Sequence, residues 1–408
     1  MEQLQAVIVG ASHAGGQLAA NLRQNGWTGS ILMIGDEPIL PYHRPPLSKG
    51  YLSGQTSLSE LLIRSADFYE KQNIIFRCAQ VSSINRQNQR LELQDGSTVA
   101  YDKLALCLGA RPRKLSSPHA DLAGVHELRS ARDIENIKAT LDRTRHAVII
   151  GGGYIGLETA ASLRTLGIDV TVLESANRVL QRVTAPQVSG FYTRVHQEAG
   201  VDIRTEMNVR AIIGHRQVSG VECSDGSFFP ADLVIVGIGV QPNVELAEAA
   251  GLNTDNGILI NGQCLTNDVN IVAAGDCANH YSTRYGRRIR LESVPNTTEH
   301  AKVAAATLCN KPAEIRALPW FWSDQFDLKL QIAGLSQGYD SVVIRGDVQN
   351  KRSFSCFYFQ EDQLIAADCI NRPQEFLFSK KVILEQTPVD KKLLADDDTP
   401  ITAVSLAN

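Results

Sequence analysis

The 408-residue sequence is most telling first in what it lacks. It has no long apolar run. Its most hydrophobic stretch, LVIVGIGV at 233–240, is far shorter than the ~20 residues a helix needs to span a bilayer, so no membrane partner is expected. It has no close cysteine pair. The eight cysteines (78, 107, 223, 264, 277, 309, 356 and 369) are scattered without a C-x-x-C, a pattern of unpaired thiols in a reducing compartment and not of a disulfide framework. It has no basic excess: 40 Lys and Arg stand against 44 Asp and Glu, a net charge of −4, which argues against nucleic-acid binding. The chain enters an apolar strand within its first few residues, leaving no room for a signal peptide, and a cytoplasmic protein is expected. No metal site is expected either.

What is present is an ordinary globular balance, 43% apolar and 21% charged, long enough for two or three domains. The stretch QAVIVGASHAGGQLAANL reads as a strand over 6–9, a glycine loop, and a helix over 16–25. The loop has Gly10, Ser12 and Gly15, which is G-x-G-x-x-G with its middle glycine replaced. A strand over 30–35 follows and ends on Asp36, 26 residues after Gly10. The same unit recurs downstream: a strand over 147–150, Gly151, Gly153 and Gly156, a helix, and a strand over 169–173 ending on Glu174, 23 residues after Gly151.

One such loop is a weak signal, whereas two, each strand–loop–helix–strand closed by a carboxylate, define two dinucleotide-binding units. The first glycine allows the tight turn, the middle one lets backbone approach a pyrophosphate, and the last lets helix and strand pack closely. The helix N-terminus offers free N–H groups and its positive dipole end to the phosphates, and the carboxylate accepts from a ribose. Spacing alone does not say which loop binds which nucleotide.

Short strands are expected near 91–94 and 104–108, then a junction at GARPRKL and another at VQPN (240–243). A Gly-Asp pair at 275–276 precedes a helix over 298–309. From LPWFWSDQF the composition changes: strands over 328–333, 341–345, 353–359 and 363–369, then a helix over 373–386, read as an antiparallel sheet with one helix. The acidic ADDDTP near the end reads as a solvated tail.

Six segments in order, LPYHRPPLSKGYL (40–52), GGGYIGLE (151–158), RVLQRVTAPQVSGFY (178–192), AAGDCA (273–278), ESVPN (292–296) and PWFWSDQ (319–325), resemble the FAD-dependent ferredoxin reductases of bacterial cytochrome monooxygenases and aromatic-ring dioxygenases. These belong to the pyridine nucleotide-disulfide oxidoreductase superfamily, and the resemblance covers nearly the whole chain. It implies an α/β fold with two Rossmann-like domains and a C-terminal α+β interface domain. The expected domains are 1–110 and 241–315 for FAD, 111–240 for NAD, and 316–408 at the C-terminus.

By this resemblance the first loop holds FAD and the second the nicotinamide nucleotide. The residues implied for FAD are Gly10, Ser12, Ala14, Gly15, Asp36, Arg44, Lys49, Val81, Arg111, Asp276, Val294 and Trp320. Those implied for NAD are Gly151, Gly153, Tyr154, Ile155, Gly156, Glu158, Glu174 and Gly239. Lys49, Glu158 and Trp320 are the candidate catalytic residues. Leu108 departs from the family, which commonly has Thr there.

Each of these has a plainer reading as well. Glu174 is a surface carboxylate ending a strand, or the charge that repels a 2′-phosphate and selects NADH, with Arg178 four residues on as the group that would serve such a phosphate. Glu158 is a carboxylate favourable to the helix dipole, or a neighbour of the nicotinamide carboxamide. Lys49 is a solvated loop lysine, or a cation that stabilises the reduced flavin. Trp320 and Trp322, which bracket Phe321, are core aromatics, or Trp320 lies along the flavin. Arg284, Arg287, Arg288 and Arg290 are a solvated loop, or a basic face steering an acidic 2Fe-2S ferredoxin. Cys277 reads as packing.

Relatives with peroxidase or disulfide-reductase activity carry a reactive cysteine within 40–52, and this chain has none there. The expected reaction is therefore hydride transfer from NADH to FAD, then two single-electron transfers to a 2Fe-2S ferredoxin serving an oxygenase. Rubredoxin reductase, NADH oxidase and a non-catalytic flavoprotein similar to the apoptosis-inducing factors are the alternatives.

Overall fold

The computed structural model describes residues 4–405, which form two compact units. The first contains residues 4–43, Leu58–Arg111 and Val240–Ala317, and the second contains Arg44–Ser57, Pro112–Gly239 and residues 318–405. Within the stretch 1–110, then, residues 44–57 pack with the second unit.

The first unit is built on a five-stranded parallel sheet in the order Ile271–Ala273, Lys103–Leu106, Gln5–Val9, Ser30–Gly35, Ile74–Cys78. Its central strands are runs of apolar residues, as sheets covered on both faces require. The helix His13–Gln24 buries Leu18 and Leu22 and packs against the helix Val294–Leu308, whose Ala301, Ala304 and Ala305 let the two approach closely. The first helix begins three residues before the expected 16, because the second half of the glycine loop is already its first turn.

The second unit repeats the plan: Val201–Arg204, Asp169–Leu173, His146–Ile150, Leu233–Val236, Val125–Glu127, again all parallel. It also carries an antiparallel sheet, Trp320–Gln325, Leu328–Gly334, Gln363–Ile370, Phe354–Gln360, Ser341–Gly346, covered by the helix Pro373–Glu385. The strand Trp320–Gln325 is absent from the sequence reading. Its alternation is disguised because the inward residues of its second half, Ser323 and Gln325, are polar.

The acidic segment near the end departs from a simple solvated tail. Its side chains are mostly exposed, but its backbone is clasped by the buried Arg345, which donates to the carbonyls of Leu394, Asp396, Asp397 and Thr399. Arg372 adds a two-pronged pair to Asp397, at 2.8 and 3.0 Å.

Candidate functional site

Both glycine loops leave a strand flanked by neighbours whose own connections run in opposite directions, the switch point at which open α/β sheets bind ligands. Their geometries coincide. Gly10 donates to Ile34 O and Gly151 to Leu173 O, each at 2.8 Å. Both sit at positive φ, +108° and +112°, and a Cβ would lie 2.0 Å from the Cys107 carbonyl oxygen or 2.4 Å from that of Gly237. Gly15 and Gly156 touch their own loops: a Cβ would meet the Gly10 oxygen at 1.9 Å and the Gly151 oxygen at 2.2 Å.

The middle position differs in kind. Gly153 has extended backbone with open space where a Cβ would stand, and Ser12 is also extended, at φ −121° and ψ −151°. A serine there is therefore free of strain. Neither helix N-terminus is capped by a side chain or carries an acidic residue in its first turn, so each presents its positive dipole end to an anion and fits a dinucleotide phosphate.

The closing carboxylates part ways. Asp36 is exposed at the end of its strand with no hydrogen bond among the described residues. Glu174 is drawn back onto its loop: Oε2 accepts from Gly152 N at 2.7 Å and Oε1 from Ala176 N at 2.8 Å. Oε1 also accepts from Ser175 Oγ at 3.4 Å, so it is Oε2 that keeps a second lone pair for a ribose hydroxyl. Arg178 is occupied, donating to Thr184 O at 2.9 Å, to Gln181 O at 3.0 Å and to Ser189 Oγ.

Lys49 and Glu158, singled out separately in the sequence, meet in the second unit, with Nζ 2.8 Å from Oε2. The turn bearing Lys49 is held to this unit by Ser162 Oγ donating to Ser48 O (2.7 Å), Arg44 donating to Arg129 O (2.6 Å), and Lys138 standing over the Tyr51 ring at 4.7 Å. Glu158 is buried and also accepts from Ser48 Oγ and Ser323 Oγ, both at 2.6 Å. Ser48, Ser323, and the Gln325 and His196 behind them were missed in the sequence. The one local signal, for Ser323 and Gln325, is the polar SDQ following three aromatics.

Trp320 stands beside Trp322 and Phe376, ring centroids 5.6 Å away in each case, with Lys380 Nζ 5.1 Å above its ring. The three aromatics are half-buried and not fully core. Phe321 points to the other face and meets Tyr154 at 5.0 Å, and the Tyr154 hydroxyl is buried without a partner among the described residues. Ile155 is exposed beside it, and Gly239 takes φ +99° in the loop that follows the strand Leu233–Val236.

In the first unit Arg111 is paired with Glu245 and donates to Asn243 Oδ1 at 2.7 Å. Asn243 in turn donates to Leu108 O at 2.8 Å, so the backbone of Leu108 is engaged. Asp276 lies half-buried after Gly275, whose Cβ would stand 3.2 Å from that of Ala14. Val81 opens the strand Val81–Asn85, and Val294 opens the helix Val294–Leu308. A further pair escaped the sequence reading: His13 Nε2 and His43 Nδ1 lie 3.1 Å apart behind the first loop.

Of the basic run, Arg290 is committed to Glu292 at 2.7 Å and to the Asp276 carbonyl, while Arg287 and Arg288 lie on a hairpin strand. Cys277 is buried and donates to carbonyls of Leu106 and Ala274, and burial pushes its thiol up to about 11, which suits packing and not redox chemistry. All eight cysteines are free. Among the described residues no group of side chains has the makings of a metal site, and no helix is long and apolar enough to cross a membrane.

Residues 4–306 match the model of the pyridine nucleotide-disulphide oxidoreductases and residues 320–405 that of the reductase C-terminal domain. The chain belongs to the pyridine nucleotide-disulphide oxidoreductase family, which implies a flavin and NAD(P)H. It is 46% identical to putidaredoxin reductase of Pseudomonas putida, over 98% of this chain and 96% of that one. It is 40% identical to rhodocoxin reductase of Rhodococcus erythropolis, over 96% and 92%. A crystal structure of the covalent putidaredoxin reductase–putidaredoxin complex superposes with a TM-score of 0.95 at 46% identity, covering 98% of this chain and 97% of the other. The protein is a putidaredoxin reductase-like ferredoxin–NAD(P)+ reductase that supplies electrons to a bacterial oxygenase or P450 system.

Proposed function

We propose that the nucleotide is NADH, that the flavin is FAD, and that the acceptor is a 2Fe-2S ferredoxin in the cytoplasm. The observation that carries the NADH reading is Glu174. Its carboxylate is fixed on the Gly152 amide at the mouth of the second loop, where a 2′-phosphate would meet like charge, and the nearby Arg178 is spent on its own turn. The family resemblance gives the first loop, with Gly10, Ser12, Ala14, Gly15 and Asp36, to FAD, and implies Arg44, Val81, Arg111, Asp276 and Val294 as further flavin residues. Tyr154, Ile155 and Gly239 line the nicotinamide nucleotide's side.

The chemistry that bound flavin supplies is acceptance of a hydride and release of its electrons singly. The chain's own residues orient and balance charge. Glu158 accepts from the nicotinamide carboxamide, Lys49 places a cation that is neutral as a pair with Glu158 until charge develops, and Trp320 shields the exit side. With no cysteine in 40–52, the chain offers no disulfide there to receive an electron pair. Arg284, Arg287, Arg288 and Arg290 are the docking residues offered to an acidic ferredoxin, Arg290 being also paired with Glu292. The free cysteines support a reducing compartment.

Anaerobic titration of the holoenzyme, followed at the flavin's visible band, tests the nucleotide. NADH should bleach the flavin at concentrations at least about tenfold below those NADPH requires, and Glu174→Ala should narrow that gap. Cytochrome c reduction should become fast only on addition of a 2Fe-2S ferredoxin. Equal response to the two nucleotides, or an unchanged gap in the variant, removes the role given to Glu174.

A further inference from the structure

Behind Glu158 lies a line of polar side chains that no catalytic role yet accounts for. Ser323 Oγ is 2.6 Å from Glu158 Oε1, Gln325 Nε2 is 3.1 Å from Ser323 Oγ, and His196 Nε2 is 2.8 Å from Gln325 Oε1. None is at the surface: relative exposures are 5% for Glu158, 0% for Ser323, 1% for Gln325 and 0% for His196. Buried polar groups are costly unless paired, and an all-apolar path would pack as well, so a continuous chain ending on a site residue calls for an explanation.

The direction of every bond is dictated by chemistry. A carboxylate oxygen only accepts, so Ser323 must donate its single hydrogen to Glu158. Ser323 Oγ must then accept from Gln325, which turns the amide nitrogen toward the serine and the amide oxygen toward His196. An amide oxygen only accepts, so His196 carries its proton on Nε2 and leaves Nδ1 bare. Nδ1 is indeed buried with no partner among the described residues. Burial pushes the imidazole down to about 4, which keeps the ring neutral in this one tautomer.

The chain thus runs one way, from His196 to Glu158. The other carboxylate oxygen is held by Lys49 Nζ at 2.8 Å and Ser48 Oγ at 2.6 Å. With one oxygen fixed from the lysine turn and the other from the antiparallel sheet, the plane of the carboxylate is set.

We propose that Ser323, Gln325 and His196 are positioning residues that fix the plane of the Glu158 carboxylate for the nicotinamide carboxamide. The inference rests on the nicotinamide-side role of Glu158 given above. It adds that three residues with no contact to the nucleotide govern how productively the nucleotide is held. Misorientation by a fraction of an ångström is enough to slow a hydride transfer whose geometry must be near-linear.

The test uses flavin-loaded enzyme under anaerobic conditions, with stopped-flow NADH reduction separating the dissociation constant from the limiting rate. NAD+ affinity by calorimetry and the thermal midpoint are recorded beside it. Ser323→Ala and His196→Phe should each lower the limiting rate about tenfold while NAD+ affinity shifts no more than about twofold, a hydrogen bond to a charged group having been lost or released. Ser323→Thr, which keeps the hydroxyl, and His196→Gln, which keeps a donor, should recover most of the rate. In the Glu158→Gln background Ser323→Ala should cost little more.

Two outcomes overturn the positioning chain alone: a wild-type rate in Ser323→Ala where Glu158→Gln is slow, or losses that add fully in the double variant. Wild-type NADH parameters in Glu158→Gln instead remove the role of Glu158, and the chain's purpose with it. If His196→Phe fails to fold, His196→Gln and the serine variants still decide the matter.

Discussion

At the scale of single residues, the two glycine loops separate backbone requirements from ligand requirements. Gly10 is needed by the chain itself: at φ +108° with a Cβ 2.0 Å from the Cys107 carbonyl oxygen, any side chain must move backbone. The middle position has no such need, as the open space at Gly153 and the relaxed Ser12 both show. Gly10→Ala should therefore lose bound flavin, whereas Ser12→Gly should retain it with affinity within about twofold of the parent, a glycine in place of a cap-position serine costing only a few tenths of a kcal/mol. The ratio of visible to ultraviolet absorbance after gel filtration reads both. A flavin-free Ser12→Gly would give the hydroxyl a role in phosphate binding. The glycines were legible in the sequence because everything they do is local. Glu158 was legible only as a motif position: its partners Ser48 and Ser323 lie 110 and 165 residues away, and only the fold brings them together.

At the scale of elements, alternation and apolar runs were reliable guides wherever apolar side chains do the burying. The strands Ser30–Gly35 and Asp169–Leu173 fall where the sequence reading put them. Where polar side chains are buried instead, the pattern fails, and Trp320–Gln325 is the clearest instance because its inward Ser323 and Gln325 serve Glu158 and not a hydrophobic layer. The end of the chain is the converse. A run of aspartates looks solvated, yet the side chain that orders it, Arg345, lies some fifty residues earlier and addresses carbonyl oxygens, about which sequence says nothing. Arg345 is buried with Glu375 3.5 Å and Asp397 3.6 Å away. Arg345→Met should leave those carboxylates to Arg372 alone and free the 394–399 backbone, costing up to about 3 kcal/mol, the lower end for a broken buried ion pair. Limited proteolysis should then cut first within this segment. An unchanged cleavage pattern together with an unchanged thermal midpoint would make the clasp ornamental.

At the scale of the whole molecule, a few buried ionisable groups determine how stability follows pH. Burial pushes His196 and His280 down to about 4 each, with Arg288 adding to the effect on His280, and pushes His300 to about 3, with His280 adding there. In the unfolded chain each titrates near 6.5. Between that value and their folded values the unfolded state takes up protons that the fold refuses. Their contribution is thus complete above about 6.5 and is lost as pH falls toward 4. Asp368 acts in the opposite sense. Burial raises it from 3.8 to about 7, while the Tyr358 hydroxyl, donating at 2.5 Å, pulls the other way. Its contribution is complete below 3.8 and is lost as pH rises through 7. Across pH 4 to 6.5 these three histidines, with His43 and His126 also pushed down by burial, oppose one aspartate, so the net slope is positive. The thermal midpoint of flavin-saturated enzyme should climb from pH 5 to pH 7, flavin being held in excess so that cofactor loss does not mimic the effect. Asp368→Asn, which keeps an acceptor for Tyr358, should be more stable than the parent at pH 8, with the gap closing toward pH 4. A midpoint that is flat from pH 5 to 7 would mean that the buried imidazoles are reached by water or by partners as soon as they are protonated. A gap that does not change with pH would mean that Asp368 is already ionised in the fold.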